Sequence, residues 1–155
     1  MDRAVAWSDE MLLGIPVMDT AHKFFLDELA RLSILADDAI GRALSDLMDF
    51  LERNFHEEEA WIGRTFGFVD ARHCEDHARV IRTVRQAAAE LLPGDTELVR
   101  LTLRQLRRWF LNHLTTMDVP LAVAYEMNGH HDAPPPSSWL RAELAHRLYR
   151  NGIAV

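Results

Sequence analysis

The sequence predicts an all-α protein, an antiparallel four-helix up-down bundle with an N-terminal arm and a short extra C-terminal helix. Apolar residues recur at helical spacing in four segments, and glycine- or proline-containing stretches separate these segments. No segment alternates apolar and polar residues as a half-buried strand would. Amphipathic helices joined by short connections pack as antiparallel neighbours, so the four segments favour a bundle.

The four apolar stripes predict the helices in chain order. Residues 1–17 have little periodicity and are predicted to form the arm, and the first helix is expected over about residues 18–39, with Gly41 as the break. The third and fourth helices are expected to begin near Ala71 and Thr96, and Pro120 is expected to end or kink the fourth. The stripes consist of Phe25, Leu26, Leu29, Leu32 and Leu35; Leu44, Leu47, Leu51, Phe55 and Ile62; Val80, Ile81, Val84, Ala88 and Leu91; and Leu98, Leu101, Leu106, Phe110 and Met117.

Residues 129–155 are predicted to form a linker and a C-terminal helix beside a bundle made of residues 1–128. The linker contains the three prolines of NGHHDAPPPSS, and WLRAELAHRLYR places Leu140, Leu144 and Leu148 on one side of a helix. We expect these leucines to pack on the bundle. Contact with a partner protein or with a second subunit is the alternative that the sequence leaves open.

Composition and charge exclude several classes of protein. The 155 residues suit one domain, and 48% hydrophobic with 26% charged residues is typical of a soluble globular chain. A net charge of −7 argues against a nucleic-acid partner, because phosphate binding needs a basic surface. No apolar run approaches the roughly 20 residues that span a bilayer, and the N-terminus lacks the pattern of a signal peptide. We therefore expect a cytoplasmic protein that binds neither nucleic acid nor membrane.

The placement of the eight histidines favours a metal site. His73 and His77 are four residues apart, so they share one helix face, and the apolar residues that follow continue that face inward. His113 falls on the fourth stripe, and His22 lies at the start of the first. A single inward histidine is more often a hydrogen-bonded core residue than a ligand. Four inward histidines together favour metal, because imidazole is the commonest protein ligand.

The acidic run EEE at residues 57–59 is predicted to contain one inward carboxylate. Glu58 is seven residues after Leu51 and therefore lies on the inward face, whereas Glu57 and Glu59 are turned about 100° away, toward solvent or the flanks of the bundle. A buried carboxylate is costly unless it is paired or bound to metal. Nitrogen and oxygen donors without thiolate suit iron, with manganese or zinc as alternatives.

At this point the sequence resembles a bacterial hemerythrin over roughly residues 7–118. The matching pieces are W…GIPVMDTAHKFF, NFHEEEAWI, HCEDH with its H-x3-H pair, and WFLNHLTTMD, which resembles W-L-x-x-H-x4-D. The resemblance implies two non-haem irons, joined by an oxo or hydroxo bridge, that bind dioxygen or another small diatomic ligand. It implies His73, His77 and His113 on one iron, Glu58 and Asp118 bridging both, and His22 on the second iron.

Two positions leave this ligand set open. The family has a further histidine one turn before the bridging glutamate, where this chain has Asn54, whose amide could ligate weakly or hydrogen-bond a metal-bound water. His56 is expected to face outward and could replace the missing family histidine only if the second helix contained a bulge. Asp118 lies about 140° round the helix from His113, so it turns inward only if Pro120 distorts the last turn. We favour an intact iron pair with an altered second position over a single-metal site or another metal.

The expected function is therefore dioxygen binding by a non-haem di-iron protein, as a carrier, store or sensor with an altered second iron site. The alternatives are a di-iron enzyme acting on peroxide, dioxygen or nitric oxide, and an iron-binding bundle without gas chemistry. A binding protein is favoured over an enzyme. Four side chains match positions that line the dioxygen side in the family, although core packing explains them equally well: Phe55, Trp109, Phe110 and Leu114. The single cysteine, Cys74, is predicted to be a small buried hydrophobe.

Overall fold

The fold is a computed structural model that describes residues 6–91, 95–130, 139–142 and 146. The described residues are helical throughout their regular elements and contain no β-strand, so the predicted all-α class is confirmed. A short 3-10 turn lies in the N-terminal arm, and residues 139–142 form one further helical turn. The elements are the 3-10 turn Asp9–Met11, α1 Pro16–Ser33, α2 Asp37–Phe66, α3 Ala71–Ala89, α4 Glu97–His113, a π-helical turn Leu114–Asp118 and α5 Val119–Met127.

Helices α1 to α4 form an antiparallel bundle in which each helix packs on two neighbours. The beginning of one helix meets the end of the next. His73, near the start of α3, lies 3.0 Å from Glu58, near the end of α2. His22, in the second turn of α1, lies 3.3 Å from Asp118, just beyond α4. The predicted up-down bundle is therefore confirmed, and one end of it collects side chains from all four helices.

The core confirms most of the predicted stripes but corrects the register of α4. Leu98 and Leu101 were predicted to face inward and are 37% and 41% exposed. The inward face of α4 instead contains Val99, Leu103 and Leu106, which are at most 2% exposed. These three residues follow the alternating spacing of four and three that keeps side chains on one face of a helix, and this spacing continues to the buried end of α4.

Two predicted helix boundaries are wrong. Helix α1 ends at Ser33, and Gly41 lies inside α2 instead of breaking the chain. The glycine allows close packing here, because a Cβ atom at this position would come within 3.1 Å of Cδ2 of Leu91, beyond the end of α3. Helix α2 ends at Phe66 and is followed by Gly67, whose φ of 79° is the left-handed conformation that favours glycine after a helix.

The helical backbone continues through Pro120, where an end or a kink was predicted. Pro120 is the second residue of α5. The π-helical turn Leu114–Asp118 precedes it. Since a proline ring clashes with the carbonyl four residues earlier in a regular α-helix, a wider turn before Pro120 relieves that clash.

The described part of the C-terminal segment lies on the bundle. Leu140 is 1% exposed and belongs to the main core cluster. The Trp139 ring packs 6.0 Å from the Phe50 ring, and the guanidinium of Arg53 lies 5.3 Å over the Trp139 ring. The other predicted leucines, at positions 144 and 148, and the three prolines lie outside the described residues.

Within the described ranges, no helix is both long and apolar enough to cross a bilayer. The cytoplasmic location stays a prediction, as does a protein partner at the C-terminal helix.

Candidate metal centre

Four histidines converge at one end of the bundle. His22 comes from α1, His73 and His77 from α3, and His113 from the last turn of α4, and all four are at most 6% exposed. The Nε2 atoms of His77 and His113 are 3.2 Å apart. One donor atom from each of His73, His77, His113 and Glu58 lies within 4.8 Å of the others. Separate helices therefore bring these side chains into the geometry of a metal site.

Two buried carboxylates join the histidines. Oε1 of Glu58 lies 3.0 Å from Nε2 of His73 and 3.9 Å from Nε2 of His77. Asp118 is fully buried, with one oxygen 3.2 Å from Nε2 of His113 and the other 3.3 Å from Nε2 of His22. Asp118 therefore connects His22 to the other three histidines. The structure brings together all six predicted site residues.

The π-helical turn explains why Asp118 faces inward. In a regular α-helix a residue five positions after His113 would be turned about 140° away from it. A π-helix has hydrogen bonds from residue i to i+5, so five residues complete about one turn and return to the same face. Asp118 was predicted to turn inward only if the last turn of the helix is distorted. The π-helical turn is such a distortion, and it directs the Asp118 carboxylate at the histidines.

Two further carboxylates, which were not predicted as site residues, accept hydrogen bonds from the outer nitrogens of His77 and His113. Nδ1 of His77 lies 2.9 Å from Oε1 of Glu59, and Nδ1 of His113 lies 2.8 Å from Oδ2 of Asp76. A carboxylate can only accept, so both Nδ1 atoms donate. Glu59 was predicted to point to the flank, and from there its long side chain reaches the outer edge of His77.

Asp76 is the centre of a small hydrogen-bond network. Its Oδ2 also accepts from Nε1 of Trp109 at 2.7 Å, and its Oδ1 accepts from Arg79 at 3.0 Å. Burial opposes ionisation of this carboxyl, but the hydrogen bonds from His113 and Trp109 lower the pKa of Asp76 below its ordinary value. The sequence carried a signal for it: Asp76 lies three residues after His73, on the next turn of the same helix face.

These hydrogen bonds place the imidazole hydrogen of His77 and of His113 on Nδ1, so the inner nitrogen of each ring, Nε2, has no hydrogen to donate. With Nδ1 protonated, a neutral His77 and a neutral His113 each present an Nε2 lone pair, and the two lone pairs face one another across 3.2 Å. That arrangement requires a proton or a cation between them. Burial lowers the pKa of His113, but the neighbouring carboxylates of Asp118, Glu58 and Asp76 outweigh burial and raise it to about 9. Without metal, therefore, a proton fulfils this role.

The donor set fits metal ions better than it fits protons alone. Both oxygens of Asp118 and Nδ1 of His22 are buried without a hydrogen-bond partner among the described residues. The Asp118 oxygens lie within ion-pair distance of imidazole nitrogens, but not in hydrogen-bonding geometry. Burial raises the pKa of Glu58, yet the hydrogen bond from His73 and the charges of the surrounding histidines lower it to about 2. Two carboxylates among four imidazoles could hold two cations with nitrogen and oxygen ligands.

Aromatic rings surround the histidines. The Phe55 ring stacks on His77 with centroids 3.8 Å apart and an interplanar angle of 3°, and Phe110 meets His22 edge-on at 5.2 Å. Beside them lies a narrow cavity of about 10 Å³, with room for roughly one water-sized molecule. Leu114, which was predicted to line this side, is buried but does not line the cavity. The lining residues are Ala21, His22, Phe25, Phe50, Leu51, Asn54, Phe55, Glu58, Trp109, Phe110 and His113.

Asn54 and His56 lie as the sequence suggested, while Cys74 does not. Asn54 is half-buried beside Glu58, and His56 is exposed. Cys74 was predicted to be buried and is half-buried, near Glu59. Burial and the Glu59 charge raise the pKa of the Cys74 thiol, which keeps it protonated and a poor metal ligand.

The comparisons with known proteins agree with this geometry. Residues 13–122 match the family model described as the hemerythrin HHE cation binding domain. A bacteriohemerythrin of Ralstonia nicotianae is 26% identical over 114 residues, which cover 74% of this chain and 83% of the relative. A bacteriohemerythrin of Methylococcus capsulatus is 27% identical over 105 residues, 64% of this chain and 79% of the relative. No solved structure matches the chain. The family match spans well over half of the sequence, and the chain belongs to the hemerythrin family.

Proposed function

We propose that this protein holds two non-haem iron ions and binds dioxygen reversibly, as a carrier, local store or sensor. The observation that carries the proposal is the buried Asp118 carboxylate, which has no hydrogen-bond partner among the residues that the structure describes and lies between His22 on one side and His113 on the other. A carboxylate in that position is suited to bridge two cations. Membership of the hemerythrin family and the names of the two relatives support iron and dioxygen.

Each side chain has a distinct role in this proposal. His73, His77 and His113 would hold one ion and His22 would hold the second, with the carboxylates of Glu58 and Asp118 shared between them. When bound, a ferrous pair supplies the two electrons that dioxygen takes up and returns. The aromatic rings leave room for only about one water-sized molecule beside the histidines. Glu59 and Asp76 hold the imidazoles in the tautomer whose Nε2 can bind metal.

Metal analysis combined with a redox spectrum tests this function. The purified protein should contain two irons per chain, and anaerobic reduction followed by air should give a charge-transfer band that disappears under vacuum and returns with air. A chain that purifies without iron, and takes up none anaerobically, would show a structural bundle. Sustained consumption of dioxygen, peroxide or nitric oxide would show an enzyme instead.

The enzyme is the second candidate, and one observation favours it. A pocket of about 500 Å³ opens outside the site, and Asn54 and Glu58 line both this pocket and the narrow cavity. An open approach to a metal pair exposes it to reactants that a closed site excludes. Turnover with peroxide under steady-state conditions distinguishes a catalyst from a reversible binder.

Asn54→His is expected to strengthen binding of the second iron by about tenfold, because an imidazole is a better ligand for iron than an amide oxygen. The measurement is the chelator concentration that removes half of the iron, followed separately for the first and second ion by spectroscopy. The matched control is Asp49→His, which places a histidine at an exposed position on the same helix. Equal retention of the second iron in both variants would contradict an altered site at Asn54.

Asp76→Asn is expected to weaken iron binding by about 10–100-fold, as is usual when a carboxylate that orients a metal-bound histidine is lost. The amide can still contact Trp109, but it no longer offers the charge that stabilises a donating Nδ1 on His113. Iron affinity from anaerobic titration measures the effect. Glu75→Gln, an exposed acidic residue on the same helix, should leave the affinity unchanged.

A further inference from the structure

Helix α5 is apolar on every side, although most of it lies at the surface. Its sequence, VPLAVAYEM, has one charged residue, Glu126, among nine residues. A helix that is apolar all round is normally buried, whereas Tyr125 is the one buried residue of α5 in the described chain. This mismatch between composition and exposure indicates that another surface covers the outer face of α5.

Exposed apolar side chains gather around α5. Val119, Val123 and Met127, all on α5, are 42%, 50% and 82% exposed. Two more exposed apolar residues, Leu12 of the N-terminal arm and Phe68 before α3, line the surfaces beside the helix. These five are most of the eight large hydrophobic residues that are exposed within the described ranges. A contiguous apolar patch of this kind marks an interaction site.

The outer face of α5 forms a ridge with a groove on each side. Val119, Val123 and Met127 follow one another at intervals of four residues, so they form one row along the helix, which we call the α5 ridge. A groove of about 400 Å³ lies between this ridge and the N-terminal arm. A second groove, of about 230 Å³, lies between the other side of α5 and the end of α2. Helices pack by placing the ridge of one into the groove of another, and a self-complementary contact needs both on one surface.

The charges of this face suit a second copy of the chain. With a net charge of −7, two copies repel each other in general, and the core of an interface contains few charged residues. Besides histidines, the titratable side chains that line the grooves are Asp70 and Arg72, which pair with each other at 2.8 Å, together with Glu126 and Tyr125. A strongly acidic or strongly basic partner would find little complementary charge here.

We propose that two copies of this chain form a symmetric dimer through the α5 ridge. The two-fold axis passes beside Val123, and the two α5 helices run antiparallel, so that Met127 of each copy packs on Val119 of the other. Each ridge enters the groove beside the arm of the other copy. Glu126 of each copy then lies opposite Pro120 of the other, and no like charges meet across the axis.

The face is large enough for a stable contact. Nine residues line the groove beside the arm and eleven others line the second groove. Each partner in an interface of standard size contributes about 20–30 residues. The three residues of the α5 ridge are not among the proposed metal ligands. The dimer therefore does not depend on iron, and either proposal can fail without the other.

Sedimentation velocity of the purified chain, from about 1 to 500 µM, tests the dimer. The dissociation constant should be micromolar or lower, as is usual for interfaces of standard size. Val123→Glu brings two carboxylates together at the axis and should weaken the dimer by at least about 100-fold. Met127→Glu should weaken it by at least about tenfold, and it serves if the first variant fails to fold. Leu101→Glu, at a 41% exposed position on α4, is the matched control and should dimerise as the parent does.

Cross-linking tests the position of the axis. The chain has one cysteine, so Val123→Cys combined with Cys74→Ser leaves a single thiol per chain. A two-fold axis brings identical residues together, and a short bismaleimide should therefore join most of the chains in pairs. Leu101→Cys in the same Cys74→Ser background is the control and should give little cross-linked product.

Three results would overturn the proposal: a chain that stays monomeric at every concentration, a parental dissociation constant in both Val123→Glu and Met127→Glu, or equal cross-linking of the two single-thiol variants. In a monomeric chain, a thiol introduced at position 123 that resists alkylation would show that the C-terminal residues of the same copy cover the α5 ridge instead.

Discussion

His77→Ala is expected to abolish iron retention, weakening binding of the first iron by about 100-fold or more. Several contacts hold His77 in place, since its Nε2 faces His113 at 3.2 Å, its Nδ1 binds Glu59 at 2.9 Å and its ring stacks on Phe55. Loss of an oriented ligand costs more than loss of the carboxylate that orients it, for which 10–100-fold is typical. The measurement is iron per chain after dialysis against a weak chelator.

The matched control is His56→Ala, because His56 is an exposed histidine on α2 that does not belong to the metal-site cluster among the described residues. It should retain both irons. Alanine at position 77 also leaves a cavity beside Phe55, so the thermal midpoint of the metal-free protein is measured in parallel. Iron loss in a folded variant indicates a lost ligand. Equal iron retention by the two variants would refute the site.

The fold and most of the site were predictable because helical periodicity alone determines which side chains face inward. Glu58 follows Leu51 by seven residues, and an ideal helix returns to nearly the same face after seven. His73 and His77 follow from the same rule. Gly41 misled the prediction, because glycine breaks many helices but here permits the close approach of Leu91. The local sequence does not distinguish these two uses.

Asp118 and the outer carboxylates show where periodicity is insufficient. Asp118 lies on the inward face only because the backbone has a π-helical turn, and a rule based on 100° per residue cannot produce that turn. Glu59 was predicted to point toward solvent or the flanks of the bundle, and Asp76 was not identified as a site residue. Their role depends on the distance to a histidine on the same or a neighbouring helix, which only the packed bundle fixes.

The metal-free protein and its iron affinity are expected to respond to pH in opposite directions between pH 6.5 and about 9. In the folded metal-free protein the pKa of His113 is raised from 6.5 to about 9. A raised pKa means that the folded state holds a proton that the unfolded state releases, so this stabilisation is complete below pH 6.5 and is lost as the pH rises through 9. The thermal midpoint should therefore fall by about 5 °C over this range.

At acid pH the sign reverses, because the pKa of Glu58 is lowered from 4.5 to about 2. Its stabilisation is present above pH 4.5 and is lost as the pH falls toward 2, and the lowered pKa values of Asp76 and Glu59 act in the same direction. The metal-free protein should thus be most stable between about pH 4.5 and 6.5. Differential scanning calorimetry across pH 3–9 measures this profile.

Iron binding must displace the proton that stabilises the metal-free centre, because only a deprotonated Nε2 ligates. Iron affinity should therefore rise by up to about tenfold for each pH unit between pH 6.5 and 9, with one proton released. His113→Gln separates this effect from the rest of the chain: its metal-free midpoint should be nearly flat over the same range, whereas His56→Ala should keep the parental slope. A parental slope in His113→Gln would show that the proton lies elsewhere, and that the facing Nε2 atoms of His77 and His113 do not share it.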